Sequence, residues 1–119
     1  MSQRQPHGLK RVINASRYSV QGVQQAFKGE TAFREEVYAA AILLPLIYWL
    51  DVTSIERVLL IASVFLVMIT ELLNSAIEAA VDRIGTERHP LSGQAKDMGS
   101  AAVMFSMILF VVTWWEILR

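Results

Sequence analysis

The chain has 119 residues, 54% hydrophobic and 18% charged, with eleven Lys and Arg against eleven Asp and Glu and no cysteine. Soluble domains carry about a quarter of their residues as charges, so this composition, with mean hydropathy +0.39, excludes an ordinary soluble fold and implies an integral membrane protein of one small domain. Disulfides and thiolate metal sites are excluded too, while a net charge of zero says nothing about nucleic acid or acidic partners, and no nucleic-acid partner is expected.

The opening MSQRQPHGLKRV has no apolar core or small-residue cleavage site and is not read as a signal peptide. Over about residues 8–28, Leu9, Val12, Ile13, Ser16, Val20, Val23 and Phe27 fall within about 100° of one another on a helical projection. Lys10, Arg11, Arg17, Tyr18 and Gln25 point elsewhere. That pattern predicts an amphipathic helix along a membrane surface; the alternative is a helix packed on a soluble partner.

Three apolar spans follow, giving an all-α membrane protein. The first covers about residues 32–50. Its charge-free part, 37–50, is only 14 residues, short of the roughly 20 that cross a bilayer, so residues 31–36 must lengthen it, and Pro45 is expected to kink it. The second runs over about 56–81 and the third over about 98–116. Between them, residues 82–97 read as a loop.

Six cations (Arg4, Lys10, Arg11, Arg17, Lys28, Arg34) precede the first span and three (Arg83, Arg88, Lys96) lie in the 82–97 loop. Only Arg57 and Arg119 lie on the other side. Positive charge stays inside, which places the N-terminus and that loop in the cytoplasm and the C-terminus outside. Tyr48, Trp49, Trp114 and Trp115 then gather at the opposite interface, as an aromatic belt does.

The second span carries the chemistry. Taking Glu71 as zero, Glu71, Asn74, Ser75, Glu78 and Asp82 lie at roughly 0°, −60°, +40°, −20° and +20°, one stripe on a helix whose preceding residues 58–70 bear no charge. A carboxylate at bilayer depth costs roughly 2.5–3.5 kcal/mol on insertion scales. Glu71 and Glu78 are about 10 Å apart along the axis, too far to share a proton. The spacing suits a deeper base and a shallower metal ligand, with Asn74 orienting Glu71 or bonding a substrate oxygen. The alternative is a network that only holds an oligomer together. Three spans are few to wall such a stripe off from lipid, so a homo-oligomer is expected, and Gly99, Ala102 and Ser106 form a small-residue face suited to close helix packing.

At the junction GETAFREE (29–36), Glu30 lies at a depth similar to that of Glu78, and hard cations such as Mg²⁺ take one or two carboxylates plus substrate phosphates. A solvated charge cluster is the competing reading there. The loop DRIGTERHPLSGQAKD (82–97) offers cations for phosphate but matches no phosphate-binding loop, and His89 alone is more often structural. No kinase H-R-D or D-F-G element is present.

TAFREE, WLDV…RVLLI, ELLNSAIEAAVDRIG and LSGQAKDMGSAAV together resemble the bacterial diacylglycerol kinase family of small integral-membrane enzymes, over nearly the whole length. The resemblance implies a homotrimer of three-span subunits, each with a surface helix, in the bacterial cytoplasmic (inner) membrane. It implies transfer of the γ-phosphoryl group of MgATP to the primary hydroxyl of diacylglycerol, giving phosphatidic acid, as in lipid recycling. Glu71 would be the general base, and Glu30 and Glu78 would hold Mg²⁺ and with it the nucleotide. Arg11, Tyr18, Glu87, Arg88, His89, Lys96 and Asp97 would contact ATP. Arg11, Ala15, Ser19, Arg34, Glu36, Trp49, Glu71 and Ser100 would contact lipid. A related activity, undecaprenol kinase, is the nearest alternative. An oligomeric proton-coupled transporter using Glu71 is a second, although the outer half of the second span, 58–68, is apolar but for Ser63. A non-catalytic membrane scaffold is a third.

Overall fold

A computed structural model describes residues 7–85 and 89–119, and all the secondary structure in them is helical. Four helices run in chain order: α1 (Leu9–Gly29), α2 (Thr31–Trp49), α3 (Ser54–Ile84) and α4 (Pro90–Leu118). At about 1.5 Å per residue, α3 and α4 are each roughly 45 Å long, longer than the ~30 Å hydrocarbon core. Both are long and apolar enough to cross a membrane, and among the described residues they are the two helices that are. The shorter α2 bears Arg34, Glu35 and Glu36 in its first two turns.

Local signals set the ends. Thr53 Oγ1 accepts from the Glu56 amide at 3.2 Å while Glu56 Oε1 accepts from the Thr53 amide at 2.9 Å, a reciprocal cap that fixes the start of α3. His89 Nδ1 accepts from the Leu91 amide at 3.1 Å, and Pro90 supplies the first residue of α4, a position that lacks an amide partner in any helix. The third apolar element thus starts eight residues before the apolar run, and α3 continues to Ile84. Most of the 82–97 segment is helix, because hydropathy registers where a span is apolar and not where its helix begins.

The most extensive packing is between α3 and α4, an antiparallel pair with polar rungs at three depths. Trp114 Nε1 donates to Ser63 Oγ at 2.9 Å, Thr70 Oγ1 and Ser106 Oγ are 2.9 Å apart, and Gly99 lies against Asn74. Two of the three small residues, Gly99 and Ser106, are therefore buried within the chain, while Ala102 is exposed. The apolar core joins Ala40 and Ile47 of α2 to Leu60 and Val64 of α3, with Phe110 and Trp114 of α4 against it. Pro45 lies inside α2 on an exposed face. Arg57 closes the far end of α2, donating to the carbonyls of Ile47, Leu50 and Val52, with its guanidinium over the Tyr48 ring.

At the α1–α2 corner, Glu30 is extended (φ −120°, ψ 111°). Arg34 reaches back to the carbonyls of Phe27 and Lys28 at 2.9 and 3.0 Å, satisfying oxygens that the end of α1 leaves open. Phe27 meets Tyr38 edge to face. The outer stripe of α1, with Leu9, Val12, Ile13 and Val20 exposed, has no partner among the described residues, as on a helix that lies in a membrane interface.

Candidate functional site

The stripe of α3 sends its polar groups to three different neighbours. Glu71 is 8% exposed, and its carboxyl meets that of Glu36 on α2. Asn74, on the opposite flank, faces α4. Its Oδ1 is buried without a hydrogen-bond donor among the described residues, pressed against the Gly99 backbone. Its Nδ2 donates to Glu78 Oε1 at 3.3 Å, so the carboxylate that Asn74 holds is that of Glu78. Ser75 turns the other way and lines a cleft between α3 and α1.

That cleft, about 530 Å³, is walled by Ser19, Gln25 and Glu30 from the α1 side and by Ser75, Ala76 and Ala79 from α3. Glu78 stands on the same turn of α3. A long α1 bent back at the Glu30–Arg34 corner brings Glu30 to this turn, across more than forty residues of sequence. Both carboxylates are half-buried. Among the described residues, no three His, Cys, Asp or Glu side chains gather as a metal cluster. Glu30 lines that cleft and Glu78 stands on the turn of α3 that borders it; hard oxygen donors of this kind suit a cation that takes its remaining ligands from phosphate and water.

At the same end of the bundle, Lys96 Nζ lies 2.8 Å from Asp82 Oδ1. Both side chains are solvated, at 44% and 63% exposure, and the Asp82 carboxylate pushes the Lys96 ammonium above its ordinary range. The lysine is therefore cationic through the neutral range and presented to water. Asp97 and Ser100 are exposed on α4, and His89 is the cap of that helix.

Toward the start of α1, Arg11 lines a shallow groove with Gly8, Ala15 and Ser19. Ser19 Oγ is held by the Ala15 carbonyl at 2.9 Å. Tyr18 is exposed, with Arg17 over its ring, and Trp49 ends α2 almost fully exposed at 86%. Glu87 and Arg88 lie outside the described residues. The structure thus brings Glu30, Ser75 and the Glu78 turn together, ties Asn74 to Glu78, and sets Glu36 beside Glu71. It leaves Arg11 and Tyr18 on the outer part of α1.

Sequence reasoning missed the capping role of four residues, Arg34, Arg57, Thr53 and Glu56. Arg34 and Arg57 act as caps for helix ends distant from their own, which no local pattern reveals. The Thr53–Glu56 cap was readable, since T-x-x-E ahead of an apolar run is its signature.

The family described as prokaryotic diacylglycerol kinase matches residues 17–118. The chain is similar to the diacylglycerol kinase of Haemophilus influenzae, with 56% identity over 93% of this chain and 94% of the relative. It is 57% identical to the diacylglycerol kinase of Escherichia coli K12, over 90% and 88% of the two chains. The diacylglycerol kinase of Pseudomonas aeruginosa is 54% identical, over 93% and 90%.

Proposed function

The chain belongs to the prokaryotic diacylglycerol kinase family and is a lipid kinase; from that premise we propose that it moves the γ-phosphoryl group of MgATP to the primary hydroxyl of diacylglycerol, giving phosphatidic acid. The observation that carries the mechanism is Glu71, a carboxylate 8% exposed on a helix long enough to cross the membrane, with the Glu78 turn two helical turns nearer the polar end. Among the described residues neither ion pair involves it. Burial of an unpaired carboxylate is a poor device for stability and a good one for proton abstraction.

In this reading Glu71 takes the hydroxyl proton as the lipid oxygen bonds to the γ-phosphorus and the bond to the β-phosphate oxygen breaks. Glu30 and Glu78 hold Mg²⁺, which when bound neutralises charge on the nucleotide phosphates. Asn74 fixes Glu78. Lys96, with Asp97, His89, Arg11, Tyr18, Glu87 and Arg88, serves the nucleotide at the cytoplasmic face. Arg11, Ala15, Ser19, Arg34, Trp49, Glu71 and Ser100 border the lipid, while the Glu36 carboxyl is turned to Glu71. Phosphoryl transfer asks chiefly for such positioning and charge neutralisation.

The architecture in this reading is a single membrane domain, over 1–119, in the bacterial inner membrane. The N-terminus and the 82–97 segment are cytoplasmic and the C-terminus lies outside. Support for α2 as a third span comes from its packing along α3, which pairs Glu36 with Glu71. A homotrimer is supported by the polar stripe of α3 that one chain leaves partly open, with Asn74 and Glu78 only half-buried and Asp82 exposed.

The test is transfer of label from γ-labelled ATP in mixed micelles, with diacylglycerol and undecaprenol presented separately. Label on diacylglycerol is the expected result. Label confined to undecaprenol would reassign the acceptor.

A further inference from the structure

Glu71 has a carboxyl neighbour that is not Glu78. Glu36, across the α2–α3 contact, meets it directly, and Glu36 Oε2 is shut away from solvent with no N–H or O–H group among the described residues donating to it. The groove that Glu36 heads is apolar, lined by Ala39, Leu43, Val64 and Met68, and offers no cation. Glu35 adds a third negative charge nearby.

Two ionised carboxylates in contact repel, and both are acceptors, so neither satisfies the other. One proton between them converts the contact into a hydrogen bond and gives the enclosed oxygen its partner. Resting on the reading of Glu71 as base, we propose that Glu36 is a positioning residue for Glu71: the two carboxyls share one proton across the α2–α3 contact and so fix the Glu71 side chain. The remaining Glu71 oxygen is left to accept the lipid hydroxyl proton as the new O–P bond forms. The pair then holds two protons and releases one to solvent before the next turnover. Glu36 touches neither reacting atom.

The experiment compares full-length wild type, Glu36→Gln, Glu36→Leu and Glu71→Gln in mixed micelles with dioleoylglycerol and MgATP. The Gln amide donates to Glu71 in place of the shared proton, and Leu fills the apolar groove without donating. Expected are Glu36→Gln within about threefold of wild type, and Glu36→Leu down on the order of 10²-fold in kcat with KM for lipid and ATP nearly unchanged. Wild-type kcat in Glu36→Leu, equal impairment of the two variants, or a loss confined to lipid KM would each overturn the proposal. Should Glu71→Gln itself turn over normally, the base assignment falls and takes this proposal with it. An inactive Glu71→Gln beside a fully active Glu36→Leu sinks the proposal alone. Isotope-edited infrared spectra give a readout apart from turnover: a protonated-carboxyl band in wild type that Glu36→Gln lacks. Its absence from wild type contradicts a shared proton.

Discussion

Asn74 and Gly99 touch where α3 crosses α4, and the contact exists only because Gly99 has no side chain. A Cβ there would collide with Asn74 Oδ1 and stand 3.2 Å from Asn74 Cγ. Asn74 is the residue whose amide holds Glu78, so the absence of one methyl group on α4 sets the position of a carboxylate on α3.

Gly99→Ala should therefore lower thermal stability in detergent, by about 1–3 kcal/mol for an overpacked interior, and reduce turnover. The same change at Gly93, a helical glycine with nothing within 4 Å of the added Cβ, should be neutral or stabilising by about 0.5–1 kcal/mol. Thermal unfolding of the two variants side by side checks the opposite signs.

The rung between Thr70 and Ser106 should matter little. Hydrogen bonds between membrane helices average only about 0.6 kcal/mol, so Ser106→Ala should shift stability by about that much and leave kcat alone. A double-mutant cycle with Thr70→Val measures the coupling.

Glu30→Ala and Glu78→Ala should raise the Mg²⁺ concentration needed for half-maximal activity, by about tenfold or more for loss of one of two carboxylate ligands. Chelation of the metal should stop turnover in every variant. Unchanged Mg²⁺ titrations would remove the ligand assignment.

Lys96 gives a pH prediction. Asp82 holds its ammonium above the ordinary lysine range, so whatever stability the pair contributes is full below the unfolded lysine value and is lost as pH rises through the raised one. Across neutral pH, Asp82→Asn leaves Lys96 charged and should not move the pH–rate profile. Lys96→Met, which removes the cation, should raise KM for ATP by about tenfold. Steady-state kinetics from mildly acidic to mildly alkaline pH separates the two.

The helices and their polar stripe were legible because helical period and hydropathy are local properties. Glu71 reads as a buried carboxylate from its apolar lead-in alone, and the outer stripe of α1 reads from its 3.6-residue spacing. What each polar group meets was not legible. The stripe looks like one face, yet Asn74 packs on α4, Glu71 on α2 and Ser75 beside α1, because three helices surround α3 there. The 82–97 segment looked like a loop since its residues are polar, although His89–Pro90 is a helix start. A separation of about 10 Å along α3 sets Glu71 and Glu78 too far apart for a dyad, but no spacing within α3 points to Glu36, which lies 35 residues earlier on another helix.

The central claim is that Glu71 removes the acceptor's proton while other side chains hold the nucleotide. The most direct test pairs two measurements on Glu71→Gln: label transfer from ATP to diacylglycerol, and binding of a non-hydrolysable MgATP analogue by calorimetry. The account predicts no detectable transfer with nucleotide affinity close to wild type. Transfer at the wild-type rate, or a loss of nucleotide affinity as large as the loss of turnover, would contradict it.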